Sequence, residues 1–161
     1  PVTLVLALPR PTVLKRVLQT VSSMGVKRIF LIHGCRVEKT YWQSHALRED
    51  EIRHQLILGL EQARDTVMPE VQLRPRFKPF AEDELPQLTR GARCFLADPE
   101  IASPCPQGVT QASVMAVGPE GGFVEFEVRK FRELGFEMVQ VGQRTLRVEA
   151  AVPALLGKIF L

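Results

Sequence analysis

Three stretches of this 161-residue chain bring together residue types that can do chemistry. The first is Gly118-Pro119-Glu120-Gly121-Gly122-Phe123. Between a strand and a helix, such a run lets a ligand approach the backbone, because few side chains stand in the way. Its spacing fits neither GxGxxG nor GxxxxGK[ST], and no Lys-Ser/Thr pair follows, so nucleoside triphosphate and ordinary dinucleotide binding are disfavoured. On the residues alone, a plain tight turn explains it as well as a ligand loop does. The second stretch runs from Val141 through Gly142, Arg144, Leu146 and Arg147 to Glu149. Two arginines three apart, followed by a glutamate at a helix start, suit a carboxylate clamp with an acidic first turn, or a surface ion pair. The third is Glu61-Gln62-Ala63-Arg64, whose mixed charges also suit a solvated helix face. Cys35, Cys94 and Cys105 share no CxxC spacing, and His33, His45 and His54 form no HExxH pair. Neither a disulfide framework nor a metal site is expected, and a reducing cytoplasm fits the cysteine usage.

These stretches need elements to hold them. Val2 to Leu8 is a continuous apolar run suited to a strand buried on both faces of a parallel sheet. Val13, Leu14, Val17, Leu18 and Val21 then recur at helical spacing, with Thr12 as the expected N-cap. Arg28 to His33 follows as a strand, so the chain opens as a βαβ unit. A polar loop over 34–48 leads to a helix from Glu49 to Thr66, with Ile52, Leu56, Leu60 and Ala63 as its apolar stripe. Further expectations are a strand from Val71 to Arg76, a short acidic helix from Ala81 to Leu88, a strand from Arg93 to Ala97 and a loop over 98–108. Ser113 to Val117 and Phe136 to Val141 read as strands, and Glu125 to Leu134 and Glu149 to Phe160 as helices, with Pro153 allowed in the first turn of the last. The alternation predicts an α/β sheet. The Gly-rich and Arg-rich stretches both fall at strand-to-helix junctions, so they converge on one edge of that sheet and together favour a small-molecule pocket.

Composition sets the outer limits. The chain is 45% hydrophobic and 24% charged, with a formal net charge of +3, which suits a single globular domain that buries its own core. Disorder and fibrous structure are excluded, and no apolar run approaches the roughly 20 residues that cross a bilayer. Charge is uneven: residues 1–40 carry seven Lys/Arg against one acid, whereas 81–120 carry two against six. The amino-terminal excess is compatible with a phosphate-binding surface, and equally with a solvated face. The chain begins at Pro1 and enters a core strand at Val2, so upstream residues are expected to have been removed.

At these motifs the sequence resembles the RsmE-type 16S ribosomal RNA uridine methyltransferases of the SPOUT superfamily. The resemblance is carried by Gly118 to Phe123, by Gly142 through Glu149, by Glu61-Gln62 with Arg64, and by Lys15, Gln19 and Gly25-Val26. It spans nearly the whole chain. It implies an α/β, SPOUT-type parallel sheet flanked by helices with a C-terminal deep trefoil knot, a homodimer, and S-adenosyl-L-methionine as cofactor. A PUA-like amino-terminal RNA-binding domain, also implied, is missing from residues 1–161. Carried over, the cofactor-binding residues are Leu96, Ala97, Gly118, Pro119, Glu120, Gly121, Gly122, Val141, Gly142, Arg144, Leu146 and Arg147, with no metal. The implied reaction is methyl transfer to N3 of a uridine in 16S ribosomal RNA of the small ribosomal subunit, in the cytoplasm and without a membrane. In it Arg147 stabilises the uracil anion, Glu149 orients Arg147, and Glu61 and Arg64 approach the nucleotide from the same or a partner subunit.

Several positions depart from the family's pattern. Ala150 replaces a hydroxyl after the motif glutamate, and Val124 replaces a Ser/Thr whose capping oxygen is worth about 1 kcal/mol. Thr20 and Ser23 replace a basic and an acidic residue, and the chain is one residue shorter between Gln62 and Arg64. These departures keep a second class of function open, a catalytically inactive SPOUT-like domain that binds RNA or a partner. A third reading is a small-ligand α/β protein unrelated to methyl transfer. The last helix carries apolar residues on more than one face, which favours its burial in a knot or a dimer interface.

Overall fold

The structure is a computed structural model that describes residues 1–98 and 103–161. Strand β1 (Val2–Ala7) is buried along nearly its whole length, as a continuous apolar run in the middle of a parallel sheet must be. Helix α1 (Pro11–Ser23) follows, and its cap differs from expectation. Arg10 occupies the N-cap position and makes no side-chain capping bond, while Pro11 and Thr12 are already helical. Pro11 explains the early start, since its fixed φ suits the first helical position and its missing N–H is one that no helix needs there. Strand β2 (Arg28–Ile32) completes the βαβ opening and pairs parallel to β1, with Leu4 opposite Ile29 and Ala7 opposite Ile32.

Helix α2 (Glu49–Ala63) ends earlier than expected. Arg64 adopts a left-handed conformation at φ 55 and caps it, so 64–66 lie outside the helix and Ala63 is exposed. The buried stripe is Ile52, Gln55, Leu56, Gly59 and Leu60. Gly59 permits unusually close packing on α1, because a Cβ there would lie 2.2 Å from the Gln19 carbonyl oxygen. Gln19 in turn donates to Gln55 at 2.5 Å, and the Ser22 hydroxyl donates to the Leu56 carbonyl at 2.8 Å.

Strand β3 (Glu70–Arg74) leads into helical turns longer than the expected acidic helix: α3 (Phe77–Pro79), a π-helical turn (Phe80–Glu84) and α4 (Leu85–Leu88). Strands β4 (Arg93–Ala97), β5 (Ser103–Pro104) and β6 (Ser113–Val117), helix α5 (Glu125–Glu133), strand β7 (Glu137–Gln140) and helix α6 (Val148–Phe160) complete the chain. The expected loop over 98–108 therefore contains a two-residue strand, and its residues 99–102 lie outside the described part. Pro153 is the sixth residue of α6 rather than part of its first turn. Its ring nitrogen leaves the Glu149 carbonyl without the usual i→i−4 partner, a cost borne one turn from an end that is irregular in any case.

The seven strands form one sheet in the order β3-β2-β1-β6-β4-β7-β5, and every pairing is parallel. The chain runs outward from β1 through β2 to β3, then returns so that β6 inserts between β1 and β4. Direction of winding thus reverses beside β1, and the carboxyl edge at such a reversal is where open α/β sheets form ligand crevices. Helix α1 packs on both α2 and α6. The aromatic group Phe77, Phe123, Phe131 and Phe136 joins α3 to α5, with Phe123 and Phe131 ring centres 5.0 Å apart. Among the described residues, no helix is long and apolar enough to cross a membrane.

Candidate functional site

At the carboxyl edge the ends of β4, β6 and β7 open into a cavity of about 720 Å³, within the size range of small-molecule sites, roughly 300–1,000 Å³. Eleven of the twelve residues expected to hold a cofactor line it: Leu96, Ala97, Gly118, Pro119, Glu120, Gly121, Gly122, Val141, Gly142, Arg144 and Leu146. Apolar walls come from Val117, Met138, Val139 and Leu155. The twelfth, Arg147, does not line the cavity but sits one residue beyond Leu146 as the N-cap of α6, exposed to solvent. Among the described residues neither Arg144 nor Arg147 has an ion-pair or hydrogen-bond partner for its guanidinium, and the amides of 143–147 donate to no other backbone group.

The Gly-rich loop is shaped from within. A Cβ at Gly118 would lie 3.0 Å from the ring of Phe123, which folds back over it, and a Cβ at Gly121 would lie 3.0 Å from Arg36 Cδ. Gly122 sits at φ +80, a conformation that side chains oppose, and its N–H closes the turn on the Pro119 carbonyl at 2.8 Å. The space expected for a ligand at Gly118 and Gly121 is thus occupied by the protein's own Phe123 and Arg36. At Gly142, by contrast, a Cβ would meet nothing within 4 Å, so this glycine leaves its side of the cavity open.

Two residues at the site carry no local signal in the sequence. Arg36, in the loop after β2, donates from Nη1 to the Gly121 carbonyl and lines the cavity. Glu127 is only 3% exposed. Its carboxylate accepts from the Val124 N–H at 2.9 Å and from the Cys35 N–H at 2.8 Å. The first bond supplies half of a capping box and offsets the absence of a hydroxyl at Val124. The second ties the loop bearing Arg36 to the start of α5.

The four residues expected to act on the nucleotide are not gathered in one chain. Glu149 forms its ion pair with Arg16 of α1 at 4.0 Å, not with Arg147; the expected orienting contact is therefore replaced by a tie between α6 and α1. Glu61 and Arg64 end α2 at the opposite edge of the sheet. The next residue, Asp65, pairs with Lys27, which also donates to the Val67 carbonyl and immediately precedes β2. In a parallel sheet the starts of strands lie a full strand length from the carboxyl edge. Among the described residues, no group of His, Cys, Asp and Glu is placed to hold a metal ion.

A parallel α/β domain with a winding reversal at β1 and a cavity at the carboxyl ends of the strands that follow it in the sheet is the class that fold and site define. The chain belongs to the RNA methyltransferase domain family, whose model matches residues 1–159. It is 31% identical over 158 residues to ribosomal RNA small subunit methyltransferase E of Treponema pallidum, covering 96% of this chain and 59% of that protein. It is 26% identical over 152 residues to ribosomal RNA small subunit methyltransferase E 1 of Borreliella burgdorferi, covering 90% of this chain and 60% of that one. Among solved structures, the methyltransferase E of Neisseria gonorrhoeae bound to S-adenosyl methionine superposes with a TM-score of 0.80 at 25% identity, covering 96% of this chain and 63% of that one. The chain thus spans about three fifths of the length of the curated relatives it matches. The fold is of the SPOUT type that the sequence resembles.

Proposed function

We propose that this domain transfers a methyl group from S-adenosyl-L-methionine to N3 of a uridine in 16S ribosomal RNA, as a cytoplasmic homodimer. The observation that carries the reading is the gathering of eleven expected cofactor residues around one cavity at the carboxyl edge. The residues present fit such a cofactor. Leu96, Val117, Met138, Val139, Leu146 and Leu155 form apolar walls for a purine, the open side of Gly142 leaves room, and the unengaged amides of 143–147 offer donors to its ring nitrogens. Arg144 supplies a cation for a carboxylate. Support for the trefoil knot comes from β6 lying between β1 and β4 and from α6 packing back on α1.

When bound, the cofactor supplies an electrophilic methyl group on a sulfonium. The loops around Gly118 and Gly142 would hold the donor and the uracil nitrogen at near-attack distance, which supplies much of the acceleration of such a displacement. The uracil must also lose its N3 proton, which would pass to bulk water. Arg147, exposed beside the cavity and without an ion-pair partner among the described residues, would stabilise the resulting anion. Since Glu149 pairs with the exposed Arg16 at 4.0 Å, a contact worth at most about 1 kcal/mol, it would steady the start of α6 rather than orient Arg147 directly. Glu61 and Arg64 would reach the target only from a second copy, whose α2 end would face this cavity.

Titration with S-adenosylhomocysteine tests the cofactor half, and methyl incorporation into 16S ribosomal RNA tests the reaction. Saturable binding at one site per protomer with incorporation supports the reading; a folded sample that does not bind overturns it. Arg147→Ala is expected to keep the binding and to lose turnover about 100-fold or more, and full turnover would remove that assignment.

A further inference from the structure

The sheet order separates two sides of the cavity. Leu96, Ala97, Val141, Gly142, Arg144 and Leu146 line it from the ends of β4 and β7, whereas Arg36 reaches it from the loop after β2, two strands beyond β6. At a strand spacing near 4.8 Å this offset is about 10 Å. Arg36 therefore stands on the Gly-rich side of the cavity, against Gly121 and across from the loop after β7. It is not a loosely placed surface cation. Its aliphatic stem packs on Gly121, where a Cβ would come within 3.0 Å of Cδ, and its Nη1 donates to the Gly121 carbonyl. The loop that carries it is pinned by the buried Glu127 carboxylate through the Cys35 N–H, and Gly34 lies close enough that a Cβ would touch that carboxylate at 3.4 Å. A buried carboxylate spent on two backbone donors from separate loops fixes the position of whatever those loops carry.

The cavity lining carries both signs, Asp98, Glu120 and Glu125 beside Arg36, Arg132 and Arg144. Arg10, which follows β1, forms a half-exposed ion pair with Glu120 at 3.7 Å on the same Gly-rich loop, which offsets part of that charge. Among the described residues no carboxylate pairs with Arg36. Both arginines come from the amino-terminal forty residues, where the basic excess lies. A fixed guanidinium with one N–H engaged still presents a planar fork suited to a phosphate.

We infer that Arg36 binds the RNA backbone phosphate next to the target nucleotide, and that Glu127 is the positioning residue that holds it there. The inference rests on the RNA methyltransferase reading above and adds a substrate-side residue to it. Glu127 acts through the loop; Arg36 makes the contact.

The test is Arg36→Gln and Arg36→Lys in the intact protein, with protein-free 16S ribosomal RNA as substrate and S-adenosylhomocysteine as cofactor probe. For Arg36→Gln the expected outcome is a KM for RNA raised about tenfold, kcat within about twofold, an unchanged S-adenosylhomocysteine affinity, and a slope of log RNA affinity against log salt reduced by about 1. Arg36→Lys should restore the salt slope and part of the KM. A loss of S-adenosylhomocysteine affinity in Arg36→Gln would assign Arg36 to the cofactor carboxylate and overturn the inference. Unchanged KM and salt slope would overturn it as well. If the wild-type protein transfers no methyl group, the functional reading itself fails, and the RNA salt slopes of wild type and Arg36→Gln still decide whether Arg36 meets phosphate.

Discussion

Gly122 and Gly142 probe the site in different ways because their backbones differ. Gly122 is at φ +80, so any side chain there strains the turn by about 1–2 kcal/mol before it reaches a ligand. A bulky residue at Gly122 therefore confuses folding with binding. Gly142 has no positive φ and open space where a Cβ would stand. Gly142→Phe is expected to leave the melting temperature within about 2 °C and to weaken S-adenosylhomocysteine binding at least tenfold, about 1.4 kcal/mol, as read by calorimetric titration. Unchanged affinity would put the ligand elsewhere. Cys94 offers a separate residue-scale check, this one on the core beneath the site. It is 5% exposed, and burial first, then the Glu137 carboxylate, pushes its thiol from an ordinary 9.0 up to about 11. A thiol whose pKa is raised by folding contributes full stability below the unfolded value and loses it as pH rises through the folded one. Between pH 8 and pH 10 the protein should lose roughly 1 kcal/mol from this group. A urea titration at the two pH values, compared with Cys94→Ala, measures it; an equal alkaline loss in both proteins would exclude Cys94 as the source.

Elements were legible in the sequence where their pattern is local. The unbroken apolar runs of β1 and β6, the heptad-like spacing of α1 and the alternation of strand and helix all report burial directly. The loops that line the cavity were legible for the same reason, since each is a short run of consecutive residues. What could not be read was whatever depends on distant partners. Arg36 meets Gly121 across 85 positions, and Glu127 meets Cys35 across 92. Neither contact leaves a spacing signal. Strand β5 has two residues, too few to show a period, and α2 ends at a left-handed Arg64 where neither Gly nor Asn announces the stop. Glu127 is the element-scale test. Glu127→Gln keeps one acceptor oxygen but turns an NH₂ toward a backbone N–H, leaving a buried donor unpaired at about 1–3 kcal/mol. A fall in melting temperature of several degrees is expected, with amide exchange accelerated at both Cys35 and Val124. Acceleration at Val124 alone would mean that the loop bearing Arg36 is held by something else.

At the scale of the whole molecule, the separation of Glu61 and Arg64 from the cavity has to be reconciled with the role the resemblance gives them. Arg64 caps α2 at the amino edge of the sheet, beside Lys27 and Asp65, while Arg147 stands at the carboxyl edge. No rearrangement within one rigid parallel sheet brings these edges together. A closed two-fold dimer can do so, because each interface residue then serves the other subunit. If Arg64 acts across the interface, Arg64→Ala and Arg147→Ala damage different halves of the composite site. Separately each variant should have little turnover. Once their subunits are exchanged at random, half of the dimers are mixed, and in each of these one site receives Arg147 from one subunit and Arg64 from the other, restoring about a quarter of wild-type activity. If both residues act within one chain, every site in the mixed dimer lacks one of them and nothing is regained. Methyl incorporation before and after exchange, with sedimentation to follow the dimer, separates the two; absence of recovery in a sample proven to have exchanged would remove Arg64 from the partner's site.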